Sequence, residues 1–270
     1  MKKLLIFAEI LIIILILQCL ILSKNYLIGI PILCAYLAYK LYKMRPSILA
    51  FKGNIAFEKK HFKKALNYYN AATKISYSDN FIKLRYAYIA LNCGELDECK
   101  RILDLVPFNQ LNDMLKNSYK MTDALYSWKS GNLKMAIDVY ENIHNSHQHT
   151  LVYETLGYLL LISGDYKKAL KYNEQAYDYD KDSSIITDNL AQSYFYLENY
   201  EKAKELYSEL LLKNEKKPSF PEPYYYYGLL LNKEGNKTDC IKYLKEALKQ
   251  REAFLSELTH EKINKTLASL

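Results

Sequence analysis

Three histidines within six positions, His144, His147 and His149, form the densest group of metal-capable side chains in this chain of 270 residues. Imidazole is a common zinc ligand, but a structural zinc site closes with four ligands. No cysteine or acid stands at a spacing that completes such a set, so the cluster reads as a polar turn with His144 beside a helix C-terminus. The five cysteines are scattered, Cys19 and Cys34 in apolar runs and Cys93, Cys99 and Cys240 in helical patterns. That spacing makes no disulfide framework, and buried free thiols suit a reducing compartment. Nucleotide-binding glycine loops, HExxH, GxSxG and kinase signatures are all missing. Neither catalysis nor a cofactor is expected, which leaves binding.

Composition narrows how that binding surface is held. Half of the residues are apolar and a quarter charged, with 8 Gly, 6 Pro and an unusual 27 Tyr. Few helix breakers with abundant Leu, Lys and Glu favour helices over hairpins. The net charge of +7 is concentrated at one end: residues 1–45 hold six basic side chains against Glu9, while the remainder is close to balance, 31 basic to 29 acidic. A nucleic-acid surface gathers its basic residues on one face, so no nucleic-acid partner is expected.

The N-terminus is expected to meet a lipid bilayer. Leu4 to Leu22 reads LLIFAEILIIILILQCLIL, 19 residues interrupted by Glu9 and Gln18. As a helix it rises about 28 Å, close to a hydrocarbon core of roughly 30 Å. The run is too long for a signal-peptide core, no A-x-A-like site follows it, and Gln18 stands where a small residue precedes a lipidated cysteine. A second apolar run, Tyr26 to Tyr42, reaches 17 residues if Lys40 snorkels to the interface. The reading is a hairpin of two spans, near 4–22 and 26–42, with a re-entrant or interfacial second helix as the alternative. Lys2 and Lys3 on one side and Lys40, Lys43, Arg45 and Lys52 on the other put both ends in the cytoplasm by the positive-inside rule. A single span places the rest of the chain outside instead.

Beyond residue 45 the chain repeats itself. Residues 150–183 and the 34 that follow align with Leu156-Gly157 on Leu190-Ala191, Tyr166 on Tyr200 and Ala169 on Ala203. The register extends to six copies, starting near residues 46, 80, 117, 150, 184 and 221. Their eighth positions are Gly53, Ala87, Ala124, Gly157, Ala191 and Gly228, and their twentieth are Ala65, Cys99, Ala136, Ala169, Ala203 and Cys240. Small residues there let two antiparallel helices approach closely. Three extra residues lengthen the steps around Asn109–Lys116 and Asn214–Pro221, and Val106-Pro107 should cut the second helix of the second copy short. The tyrosines are expected to pack their rings while their hydroxyls reach water.

This pattern resembles the tetratricopeptide repeat, a 34-residue helix–turn–helix. Behind the membrane hairpin read from the apolar runs (1–45), the resemblance implies an α-solenoid of about six repeats (46–254), and a capping helix (255–270) is expected to cover its open end, so the chain is expected to be all-α. It also implies that the first helix of each repeat lines a concave groove for a protein or peptide partner. The groove positions include Asn54, Tyr88, Leu125, Trp128, Tyr158, Gln192, Phe195, Tyr225 and Leu229, with Glu154 and Asp188 as its few charges. Trp128, the sole tryptophan, is the expected anchor. Relatives that clamp a terminal carboxylate do so with Lys and Asn; here Ala50, Asn54 and Arg85 stand at such positions, so a carboxylate-ended tail should bind poorly. The expected function is a membrane-tethered scaffold, with an outward-facing assembly factor or a peptide-sensing regulator as alternatives.

Overall fold

The computed structural model describes residues 2–213 and 215–270, and among them the chain is all-α, with fourteen α-helices and no strand. Backbone contacts divide it into two compact units, Met1–Tyr86 and Ala87–Leu270.

In the first unit, α1 (Lys2–Leu17) continues through a single π-turn, Gln18–Leu22, before the chain reverses at Lys24 and enters α2 (Tyr26–Glu58). The two helices run back along each other. Gly29 lies so close to Leu20 that an added Cβ would meet its Cδ2 at 2.5 Å, and the Lys40 ammonium pairs with the Glu9 carboxylate at 2.8 Å. Lys40, expected to snorkel to the interface, is therefore paired with Glu9. Among the described residues α2 is the one helix long and apolar enough to cross a membrane, and the described apolar stretch before it, Glu9–Leu22, is shorter. In the expected first span, 4–22, the side chains of residues 4–6 and 8 lie outside the described residues.

The expected second span and the first repeat helix are one element, since α2 passes through Pro31 and Pro46 without a break. A proline supplies no N–H to the carbonyl four residues earlier, which at Pro46 is that of Tyr42. The Tyr77 hydroxyl donates to this carbonyl at 2.8 Å, replacing the lost helical bond. α3 (Phe62–Thr73) packs on the last turns of α2, and α4 (Asn80–Asn92) carries the chain across the boundary between the units.

The second unit continues with α5 (Leu96–Asp104), α6 (Asp113–Lys129), α7 (Leu133–Ser146), α8 (Thr150–Ile162), α9 (Tyr166–Tyr179), α10 (Ser184–Tyr196), α11 (Tyr200–Ser208), α12 (Glu222–Lys233) and α13 (Lys237–Lys249). First helices of successive pairs touch, α8 against α10 and α10 against α12. α5 stops short before Val106-Pro107. The first insertion is taken up by a 3₁₀ turn, Phe108–Gln110, and by an early start of α6, where the Asn112 side chain caps the Leu115 N–H at 3.0 Å. In the second insertion Asn214 lies outside the described residues. Around it, α11 widens into a π-turn, Glu209–Lys213, and the Pro218 carbonyl accepts from the Tyr224 hydroxyl at 2.9 Å.

All twelve small positions are buried. At Gly157 the reason is geometric: a Cβ would come within 2.0 Å of Oδ1 of the buried Asn173 on α9. Each turn inside a pair passes through one left-handed residue, Gly94, Gly131, Gly164 and Gly235 in four copies but Lys60 and Glu198 in the other two, both at φ 62. The residue after it often caps the second helix, as Asp165 accepts from the Lys168 N–H at 3.1 Å. The tyrosine expectation fails for the deepest three. Tyr69, Tyr140 and Tyr207 are at most 1% exposed, and their hydroxyls turn inward, Tyr69 to Asn54 Oδ1 at 2.8 Å and Tyr207 to Asp188 Oδ1 at 3.0 Å. Burial of a phenol requires such a partner.

The C-terminal helix is shorter than expected. Instead of 255–270, α14 spans His260–Ala268, capped by Thr259, which accepts from the Lys262 N–H at 3.2 Å. Residues 251–259 form an irregular segment between α13 and α14.

Candidate peptide-binding face

The irregular segment reaches α6, α8 and α12, first helices of the second unit, and the α4–α5 turn. Phe254 sits against the α4–α5 turn, where a Cβ on Gly94 would touch its ring at 3.2 Å. The Lys129 ammonium at the end of α6 lies 5.0 Å from the centre of the Phe254 ring and 4.6 Å from that of Trp128, within cation–π range. The same ammonium pairs with Glu257 at 3.3 Å. The Glu257 backbone N–H donates to the Tyr158 hydroxyl on α8 at 2.7 Å, and the Ser256 hydroxyl donates to the Glu222 carboxylate at the start of α12. Leu258 is buried in the same core as Tyr194, Tyr207, Tyr225 and Leu230.

Beneath this segment lies a polar floor. Asp188 on α10 is buried; it accepts from the Tyr207 hydroxyl on Oδ1 and from Gln192 Nε2 on Oδ2 at 2.8 Å. Burial pushes its carboxyl well above the usual range, and the nearby Glu222 raises it further. Glu222 is itself raised by burial, partly offset by the Ser256 hydroxyl. Among the described residues neither acid forms an ion pair, so each is held closer to its neutral form. Tyr196 and Tyr226 meet hydroxyl to hydroxyl at 2.6 Å, and Phe195 packs edge-on to the Tyr226 ring at 5.2 Å. Burial likewise raises the Tyr158 phenol, which keeps it an uncharged hydrogen-bonding group.

The expected binding residues divide between the units. Trp128 and Tyr158 come together edge-to-face at 6.0 Å. Gln192 belongs to the buried floor with Asp188, and the Tyr225 hydroxyl meets Thr266 Oγ1 of α14 at 3.2 Å. Tyr88, Phe195 and Leu229 are half-buried on α4, α10 and α12, whereas Leu125, Trp128, Gln192 and Tyr225 are each 7% exposed or less. Trp128 is therefore not a free surface anchor, and Asp188 is not an exposed groove charge. Glu154 is half-buried and accepts from the Ser183 hydroxyl at 2.7 Å. Asn54 lies in the first unit. Sequence reasoning missed Lys129, Glu222, Phe254, Ser256 and Glu257. A heptad-like pattern from Leu255 to Leu267 masked the last two, and only the run of polar and small residues between Arg251 and Thr259 hinted at a non-helical segment.

The histidines do not form a site. His144 is wedged edge-on between the Tyr153 and Tyr172 rings at 4.8 and 5.2 Å, and burial lowers its pKa. The His149 ring nitrogen caps α8 by accepting from the Leu151 N–H at 3.2 Å. Among the described residues no group of histidine, cysteine and acid is arranged to hold a metal.

Family models described as tetratricopeptide repeat match residues 46–79 and 160–220. The chain carries tetratricopeptide repeats. A tetratricopeptide repeat protein from Parabacteroides merdae superposes with a TM-score of 0.64 at 14% identity, covering 92% of this chain and 93% of that one. A monomeric mutant of IFIT1, solved with Gppp-AAAA, gives 0.65 at 15% identity over 87% of this chain and 57% of that one. At these identities the likeness is one of fold. Hsp70-Hsp90 organizing protein 2 of Arabidopsis thaliana is 26% identical over 169 residues, 62% of this chain, and the match spans 29% of that protein.

Within the first tetratricopeptide repeat, Asn54 is already engaged. Its Oδ1 accepts from the Tyr69 hydroxyl at 2.8 Å and from Arg85 Nε at 3.3 Å, so it is held by neighbours instead of standing open as a carboxylate clamp would require.

Proposed function

We propose that this protein is a membrane-tethered scaffold whose repeats receive a protein or peptide partner on the face formed by their first helices, with the repeats in the cytoplasm. The observation that carries the binding half is the set of half-buried side chains Tyr88, Tyr158, Phe195 and Leu229 on the first helices α4, α8, α10 and α12, on a repeat fold of the scaffold type. The membrane half rests on apolar surface that has no other cover. Ile21, Leu22 and Leu27 are 63%, 80% and 90% exposed, and exposed apolar area of that extent calls for a lipid or protein neighbour. Pairing of Glu9 with Lys40 favours two spans, because it lowers the cost of placing either charge near the hydrocarbon.

The test is a cysteine at an exposed loop, Lys217→Cys, probed with a membrane-impermeant maleimide. Labelling only after permeabilisation is the expected result. Labelling in intact cells contradicts the two-span arrangement and supports a single span with the repeats outside.

A further inference from the structure

We propose that residues 251–258 are a built-in occupant of the binding face, holding in cis a site that takes an irregular, non-helical peptide of the same chemistry from a partner. This deepens the reading above and rests on it. The segment has the features of a bound ligand more than of a cap. A cap covers the last pair, but this stretch reaches back to α8, α6 and the α4–α5 turn, two, three and four pairs before the last one. It is irregular and turns at Phe254-Leu255, where the Ser256 N–H donates to the Ala253 carbonyl at 3.1 Å, while the Glu257 N–H is used on the Tyr158 hydroxyl. A peptide docked on a helical face is held in this way, by a backbone bond to a side chain plus pockets for particular side chains.

The contacts specify the occupant. An aromatic ring is wanted between the α4–α5 turn and the Lys129 ammonium, where Phe254 lies. A hydroxyl is wanted two residues later, because the Glu222 carboxylate is raised by burial and takes a donor there. A carboxylate follows, facing the same Lys129, and then a leucine that enters the core as Leu258 does. The partner is thus a short irregular segment, turned after its aromatic residue, with the order aromatic, any residue, hydroxyl, acid, leucine. Such a ligand has to displace the chain's own copy, and a cis competitor lowers apparent affinity by the fraction of molecules whose face is open.

The test uses the full chain in detergent and a fluorescein-labelled peptide of sequence REAFLSELTH. Phe254→Ala with Glu257→Arg weakens the cis segment while leaving Leu258, Ile263 and α14 in place. This double variant is expected to bind the peptide at least tenfold more tightly than the wild type. Adding Lys129→Ala, which leaves neither Glu257 nor its replacement a partner on α6, should remove the gain. Trp128 reports independently: its emission should shift on tail release and return when peptide is added. An unshifted Trp128 emission in the double variant, or equal peptide affinity in both proteins, overturns the proposal. So does binding that tracks self-association of the chain, since the occupant is then a second copy. Should the peptide fail while photo-crosslinks from the face still capture a partner in cells, the tail assignment falls and the scaffold reading stands; should both fail, the scaffold reading falls too.

Discussion

At the scale of single residues, Asp188 is the most unusual group in the molecule. A buried carboxyl without a cation is tolerated because two donors, Tyr207 and Gln192, bind it and because burial favours its neutral form. Its pKa is raised in the folded state above the unfolded value of 3.8. The folded chain therefore binds the proton more tightly, so the stability linked to it is present below the unfolded value and is lost as pH rises through the folded one. Asp188→Asn, which keeps an acceptor for Tyr207, is expected to raise the melting temperature at pH 8 and to flatten its decline between pH 5 and pH 8. Thermal unfolding followed by circular dichroism over that range checks it, and an unchanged slope contradicts it. Asp188 was legible as a groove position from the repeat register. Its burial was not, because that depends on Tyr207 and on Glu222, 19 and 34 residues away, and on a tail still further along the chain.

At the scale of the element, the helix–turn–helix is written in the sequence through small residues and turns. The eighth and twentieth positions locate all six pairs, and the structure buries every one of them. Helix ends were harder to read where side chains compete. Pro46 argues for a break in α2, yet the helix continues because the Tyr77 hydroxyl satisfies the carbonyl of Tyr42. Leu255 to Leu267 reads as one amphipathic helix, yet its first part is drawn off by Lys129, Tyr158 and Glu222. Turns carry a direct prediction. Lys60 and Glu198 hold left-handed backbone at positions where the other four copies use glycine, a conformation that strains a residue with a Cβ by about 1–2 kcal/mol. Glycine recovers part of that against its larger unfolded-state entropy. Lys60→Gly and Glu198→Gly should each stabilise by roughly 0.5–1 kcal/mol, measured by denaturant unfolding, while Gly164→Lys should do the reverse.

At the scale of the whole molecule, two kinds of surface are joined in one chain. The first unit carries a helical hairpin with apolar side chains facing outward and its charged pair turned to each other. The second carries a stack of repeats with a face assembled from aromatic rings and hydroxyls and occupied by its own tail. The hydropathy of the first and the periodicity of the second are local properties, which is why both could be read from sequence. The tail's place could not, since it depends on contacts across more than a hundred residues that no periodicity encodes. The face formed by the first helices is the centre of the account, and it is tested most directly by site-specific photo-crosslinking in cells. A photoreactive phenylalanine replaces Leu151, exposed at the edge of the face, or Lys171, exposed on the second helix of the same pair. Each is placed in the wild type and in the Phe254→Ala, Glu257→Arg variant. The expected result is a discrete adduct from position 151 that strengthens when the tail is released, with none from 171. Equal adducts from both positions, or none from 151 in either protein, would contradict a binding role for this face.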